Sequence, residues 1–272
     1  MKHEILLNVK PDKSPAGLIM GSSHAFFGIN GKLLNGEWYN LSSISQSIHE
    51  DLDIIEYVDS LNINIKSIIL PISYFTNFYS LAENEVYGER IRIFDYQHAF
   101  GLNYSGKIDM ASRFYLMTAI SQHIYKKDNR HKIDDHGNLL RECSDSIGNF
   151  KDIDQIFKSH EFKSDLSGIH PDLNSIIKFC NEKDINLILL IMPFTTEYNH
   201  RLDKTKFNAF IIRLKMNLNS KNIRFHDERH FFSLDSEPLM FQDPDHLSAC
   251  GQEIFSKHLD QLIKDGTEVP IK

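Results

Sequence analysis

Apolar residues follow two rhythms along this chain. Short, near-continuous runs occur at Gly17 to Met20, Trp38-Tyr39-Asn40-Leu41, Ile65 to Pro71, Ile185 to Met192 and Asn222 to His226. Runs of Ile and Leu without polar alternation predict strands covered on both faces, as in a parallel sheet. Between them, apolar residues recur at steps of three and four. Ile48, Leu52, Ile55 and Val58 form one such stripe. Leu173, Ile176, Ile177 and Cys180 form a second, after Pro171 at a helix-start position. Phe207, Phe210, Ile211 and Leu214 form a third, and Ile254, Leu259 and Leu262 contribute to the last. These stripes predict amphipathic helices packed on the sheet. The alternation predicts an α/β fold, a three-layer doubly wound parallel sheet, in a single domain over residues 1–272.

The stretch from Tyr74 to about Gly168 breaks the rhythm and reads as an insertion after the third strand. Ala111 to Tyr125 has helical spacing. Arg130 to Asn149 reads as a polar loop, with a hairpin signal at His136-Gly137-Asn138. Ligands bind at the carboxyl edge of open α/β sheets, so an insertion there is expected to shape the acceptor site.

Composition narrows the partners. The chain carries 30 basic and 37 acidic residues, a net charge of -7. Its Lys and Arg residues are dispersed, which argues against nucleic acid. No apolar run is long enough to span a bilayer, and the Ile5-Leu6-Leu7 patch is too short for an export signal. A soluble, cytoplasmic protein is therefore expected. Cys143, Cys180 and Cys250 are far apart and read as thiols in a reducing compartment. His226-Asp227-Glu228-Arg229-His230 follows a predicted strand, and His131, Asp134, Asp135 and His136 fall in a polar loop. Neither reads as a metal site.

The candidate chemistry stands at the two ends. Gly21-Ser22-Ser23-His24 ends the first apolar run. Asp243-Pro244-Asp245-His246-Leu247-Ser248 leads into the last helical stripe. Serine, aspartate and histidine are the three groups of a nucleophilic triad. A serine hydroxyl needs a base to attack a carbonyl, and an imidazole needs a carboxylate to fix its tautomer. Asp243, three residues before His246, can meet it in a tight turn. Asp245 is the competitor and is expected to point away or to cap the helix.

This order of blocks resembles the SGNH (GDSL-like) hydrolase superfamily, in a divergent Gly-Ser-Ser form similar to bacterial polysaccharide O-acetyltransferases. The resemblance implies Ser23 as nucleophile, with Ser22 where aspartate is usual, and Asp243 and His246 as its partners. It also implies an oxyanion hole. Ser23 N–H is one expected donor. Ser45 falls where the family has a glycine whose N–H donates. The Gly-x-Asn block is absent, and Ser73 is the expected side-chain substitute, ahead of Asn77. His24, Tyr74 and Asn77 are the expected substrate contacts.

Attack on the acyl-Ser23 ester decides the outcome. By family analogy, the expected function is O-acetyl transfer to a bacterial surface polysaccharide, capsular or O-antigen. Acetyl-CoA is the expected donor, with no permanently bound cofactor. The alternatives are a carbohydrate esterase or deacetylase, which gives the ester to water, and a non-catalytic glycan-binding protein.

Overall fold

A computed structural model describes residues 17–73, 75–77, 79–81, 132–144, 147–151, 153–161, 169–218 and 220–265. The five apolar runs each supply a strand: β1 (Gly17–Ile19), β2 (Trp38–Asn40), β3 (Ser67–Pro71), β4 (Asn186–Ile191) and β5 (Ile223–Asp227). All pair in parallel, in the order β2-β1-β3-β4-β5. Eight α-helices are described, with one short 3₁₀ turn at Gly31–Leu33: α1 (Ser23–Gly28), α2 (Ile48–Ser60), α3 (Ile153–Glu161), α4 (Pro171–Glu182), α5 (Thr196–Arg201), α6 (Lys204–Met216), α7 (Glu237–Met240) and α8 (Ala249–Asp265).

Strand residues alternate between two cores. Leu18, Ile68, Leu70, Leu187 and Leu189 face one layer with α2, α4 and α6. Ile19, Ile69, Ile188 and Leu190 face the other with α1 and α8. This two-sided burial is why Ile68 to Leu70 in β3 and Leu187 to Ile191 in β4 carry no polar residue, whereas the edge strand β5 does. The order reverses between β1 and β3, so the chain leaves the carboxyl ends of neighbouring strands toward opposite faces. That divergence opens a crevice, and Ser23 follows β1 there.

Local chemistry sets the helix starts. Ser47 and Glu50 form a capping box at α2, with Ser47 N donating to Glu50 Oε2 at 2.9 Å. Asp203 accepts from the N–H groups of Thr205 and Lys206 at α6. The stripe of α8 runs one position away from the expected one. Gln252, Phe255, Ser256 and Leu259 are buried, while Ile254 is 45% exposed. Leu259 sets the buried face, and Ile254, five residues before it, falls about 140° away around the helix.

The hairpin expected around His136-Gly137-Asn138 is present as an antiparallel bridge between Ile133 and Leu139. The proposed helix over Ala111 to Tyr125, and Tyr74, lie outside the described residues. The thiol reading is corrected: Cys143 and Cys250 form a disulfide, with Cα atoms 4.5 Å apart. Spacing gave no hint of it, because 107 positions separate the two. Cys180 is a buried free cysteine in α4. No helix among the described residues is long and apolar enough to cross a membrane.

Candidate active site

Ser23 is the first residue of α1, directly after the turn that ends β1. Gly21 makes that turn with φ of 101°, in the left-handed region. Its N–H donates to Asp51 Oδ1 at 2.8 Å, and its carbonyl accepts from Ser43 N at 3.1 Å. Asp51 Oδ1 also accepts from Gln46 Nε2 at 2.6 Å. A buried carboxylate on α2 thus holds the serine turn to the segment after β2. Gly21→Ala forces a Cβ into this φ and within 3.3 Å of the Pro71 carbonyl. We expect it to lower stability by about 1–2 kcal/mol and to displace Ser23. Thermal melts and reaction with a serine-directed phosphonate check both effects.

His246 comes from a loop closed by a bridge between Phe241 and Leu247. Asp243 organises it: Oδ1 accepts from Asp245 N at 3.2 Å, from His246 N at 2.8 Å and from His246 Nδ1 at 3.0 Å. The far nitrogen, His246 Nε2, lies 2.8 Å from Ser23 Oγ. With Nδ1–H donating to Asp243, Nε2 accepts the Ser23 hydroxyl. Ser23 therefore does not cap α1, and Ser22, at the N-cap, makes no side-chain cap bond either.

The loop is clamped from outside. Arg141 donates through Nη1 to Gln242 Oε1 at 2.9 Å and to the Leu247 carbonyl at 3.2 Å, and through Nη2 to the carbonyl of Phe27. The Cys143–Cys250 bridge ties the same strap to the first turn of α8. Thr195, after β4, donates N–H and Oγ1–H to the Pro244 carbonyl at 3.2 and 2.9 Å. Gly251 lies against the Met240 carbonyl, where a Cβ has no room.

Charge follows this arrangement. Burial opposes a charged His246, but the Asp245 and Asp243 carboxylates outweigh it and raise the imidazole to about 8, against a smaller opposing effect of Arg141. Burial pulls Arg141 down to about 10, partly offset by Asp243.

The remaining expected residues fall in several places. Ser45 has φ of 60°, the left-handed conformation that favours glycine, so its backbone takes the conformation a glycine there allows. Ser73 is buried and occupied locally: its N donates to Thr76 Oγ1 at 2.9 Å, and its Oγ lies 3.1 Å from the same atom. Asn77 is buried and accepts from His170 N at 3.1 Å through Oδ1. His24, read as a substrate contact, is 7% exposed and turned inward. Its Nε2 lies 3.1 Å from Asp245 Oδ2, and its ring packs against Phe75, Phe194, His160 and His246.

Asp245 itself corrects the expectation that it points away or caps the helix. It is 2% exposed and faces three imidazoles, those of His24, His160 and His246. Sequence reading missed His160, Arg141 and Asp51 as well. Asp51 stood beside Glu50 in an amphipathic helix, and nothing local marked it as the anchor of a turn 30 positions earlier. In the polar loop, Asp134 holds the turn by accepting from the N–H groups of His136 and Asn138, and it pairs with Lys32.

No family profile matches the chain. No curated protein matches it either. Among solved structures, it is similar to a protein from Streptococcus pneumonia provisionally described as a platelet activating factor. The two are 12% identical, with a TM-score of 0.46 over 98% of this chain and 90% of that one.

Proposed function

We propose that this protein performs serine-dependent acyl-ester chemistry of the SGNH type, with Ser23 as nucleophile, His246 as general base and Asp243 as the orienting carboxylate. The observation that carries the reading is the continuous hydrogen-bonded line from Ser23 Oγ through His246 to Asp243. His246 takes the hydroxyl proton as Ser23 Oγ bonds to the acyl carbon. The carbonyl becomes an oxyanion, and the protonated imidazole returns the proton to the leaving oxygen or sulfur. An incoming hydroxyl, deprotonated by the same imidazole, then releases the acyl group. Ser23 N–H, in the first turn of α1 where helix N–H groups lack intrahelical partners, and Ser45 N–H are the proposed oxyanion donors. Ser73 has its hydroxyl committed to Thr76, so any part it takes in this hole requires that turn to open.

The specific reaction we carry forward is O-acetyl transfer from acetyl-CoA to a hydroxyl of a bacterial surface polysaccharide, in the cytoplasm. The Cys143–Cys250 bridge favours a second reading. Disulfides persist in oxidising compartments, away from cytosolic acetyl-CoA. There the same line of residues serves a carbohydrate esterase, with water as acceptor. Incubation with acetyl-CoA, with and without candidate glycans, separates the two. Acceptor-dependent release of CoA with acetylated glycan supports transfer. Hydrolysis of simple acetyl esters without transfer supports the esterase. No turnover, together with no phosphonate labelling of Ser23, overturns both in favour of a binding protein.

The base acts only when neutral, and His246 is raised to about 8. Activity is therefore expected to rise with pH and level off above about 8. A kcat/KM profile with its acid limb near 6 contradicts this.

A further inference from the structure

Behind His246 lies a carboxylate that a serine–histidine–aspartate line does not require. Asp245 Oδ2 is 3.1 Å from His24 Nε2 and 3.8 Å from His160 Nε2. Its Oδ1 is 3.4 Å from His246 Nδ1 and makes no hydrogen bond among the described residues. The two supporting imidazoles are oriented by hydroxyls. Ser22 Oγ is 3.4 Å from His24 Nδ1, and Tyr198 OH is 2.6 Å from His160 Nδ1. Hydroxyl donation to each Nδ1 leaves an N–H on each Nε2, aimed at Asp245. The rings are also packed in place: His24 stacks on His246 with centroids 5.0 Å apart, and His160 stacks on Phe75 at 4.3 Å.

A buried carboxylate oxygen without a hydrogen bond is costly. The cost falls when an adjacent imidazole gains positive charge. His246 does so at the moment it accepts the Ser23 proton. An interaction that strengthens at that step lowers the barrier rather than merely binding the ground state. We propose that Asp245 is a positioning residue, a second carboxylate of His246 that stabilises the imidazolium formed during the reaction. This rests on the acyl-Ser23 reading above. Asp243 fixes the tautomer through its hydrogen bond. Asp245 supplies charge from behind, and its other oxygen is held by His24, with His160 a longer contact at 3.8 Å.

The titratable and charged groups around the pair come from every packed element: His24 on α1, His160 on α3, Tyr198 on α5, Arg141 on the strap and Asp243 in the loop itself. Burial works against an ionised Asp245. His246, His24 and His160 overcome it and hold the carboxyl well below the usual range. His246 in turn is pushed up despite its burial, with Asp245 the largest raising influence.

The test is a titration of His246 by NMR in the full chain, with histidine nitrogens labelled. In Asp245→Asn, the His246 pKa is expected to fall by about one unit or more. The acid limb of the kcat/KM profile should move with it, and kcat should drop on the order of 10- to 100-fold at little cost in KM. His24→Gln keeps a donor to Asp245 and should leave the His246 pKa near its parent value. An unchanged His246 titration in folded Asp245→Asn overturns the proposal. If that variant does not fold, Asp243→Asn decides, because it leaves Asp245 in place. His246 should then still titrate above 6.5, the ordinary histidine value, and a value at or below it overturns the proposal. The titration needs no turnover. Failure of Ser23 to react with a phosphonate would instead sink the functional reading.

Discussion

Ser23→Ala and His246→Ala should each reduce turnover on the order of 10⁶-fold, and the double variant should lose little more. The reason is that the two atoms act as one unit. The hydroxyl is a poor nucleophile until Nε2, 2.8 Å away, can take its proton. The base without the hydroxyl has no nucleophile to activate and no atom on which an acyl group can rest. Non-additivity is therefore as informative as the size of the loss. Neither side chain belongs to the apolar clusters that line the two faces of the sheet. The variants should fold, with melting temperatures within a few degrees of the parent. Steady-state kinetics alongside thermal melts give both numbers. Full activity in either variant would remove the substituted residue from the chemistry. Additive losses would mean that serine and histidine work in separate steps.

The second large effect should come from Cys143→Ala with Cys250→Ala. A bridge that closes a loop of 107 positions restricts the unfolded chain strongly, and its loss is expected to cost about 2–4 kcal/mol. For a chain of this size that is a drop in melting temperature of roughly 5–15 °C. Activity should fall as well, ahead of global unfolding, because Cys250 lies in the first turn of α8, directly after the histidine loop, and the bridge and the Arg141 fork together anchor that loop to the strap. Melts of the parent with and without a thiol reductant should reproduce the difference. An unchanged melting temperature in the variant would show that Arg141 and the loop bridge hold the strap unaided.

The framework was readable because its signals are local. Burial on two faces leaves no polar residue at Ile68-Ile69-Leu70 or at Leu187 to Ile191, and period alone identifies such runs. Helix stripes announced α2, α4 and α6 in the same way. Ser23, Asp243 and His246 were legible from short blocks, and the structure brings all three side chains together. Asp245 was misread because adjacency to His246 says nothing about direction. A tight turn pinned by Asp243 Oδ1 sends its side chain inward. His160 and Arg141 come from the stretch that lacks periodicity, and their contacts span 85 and 106 positions or so in sequence. Pairings that distant leave no mark on local pattern, and the disulfide is another of the same kind.

The separation between nucleophile and base has a consequence for how the protein matures. Ser23 and His246 stand 223 positions apart, with β1 just before the serine and β2 to β5 all between the two. A ribosome releases the chain from its amino end, so all five strands emerge before the imidazole does, while α8, which covers one face of the sheet, emerges after it. Until the His246 loop docks, the Ser23 hydroxyl has no base to take its proton. Competence then switches on with the docking of the segment that carries His246, and a nascent or truncated product without it stays chemically silent toward esters.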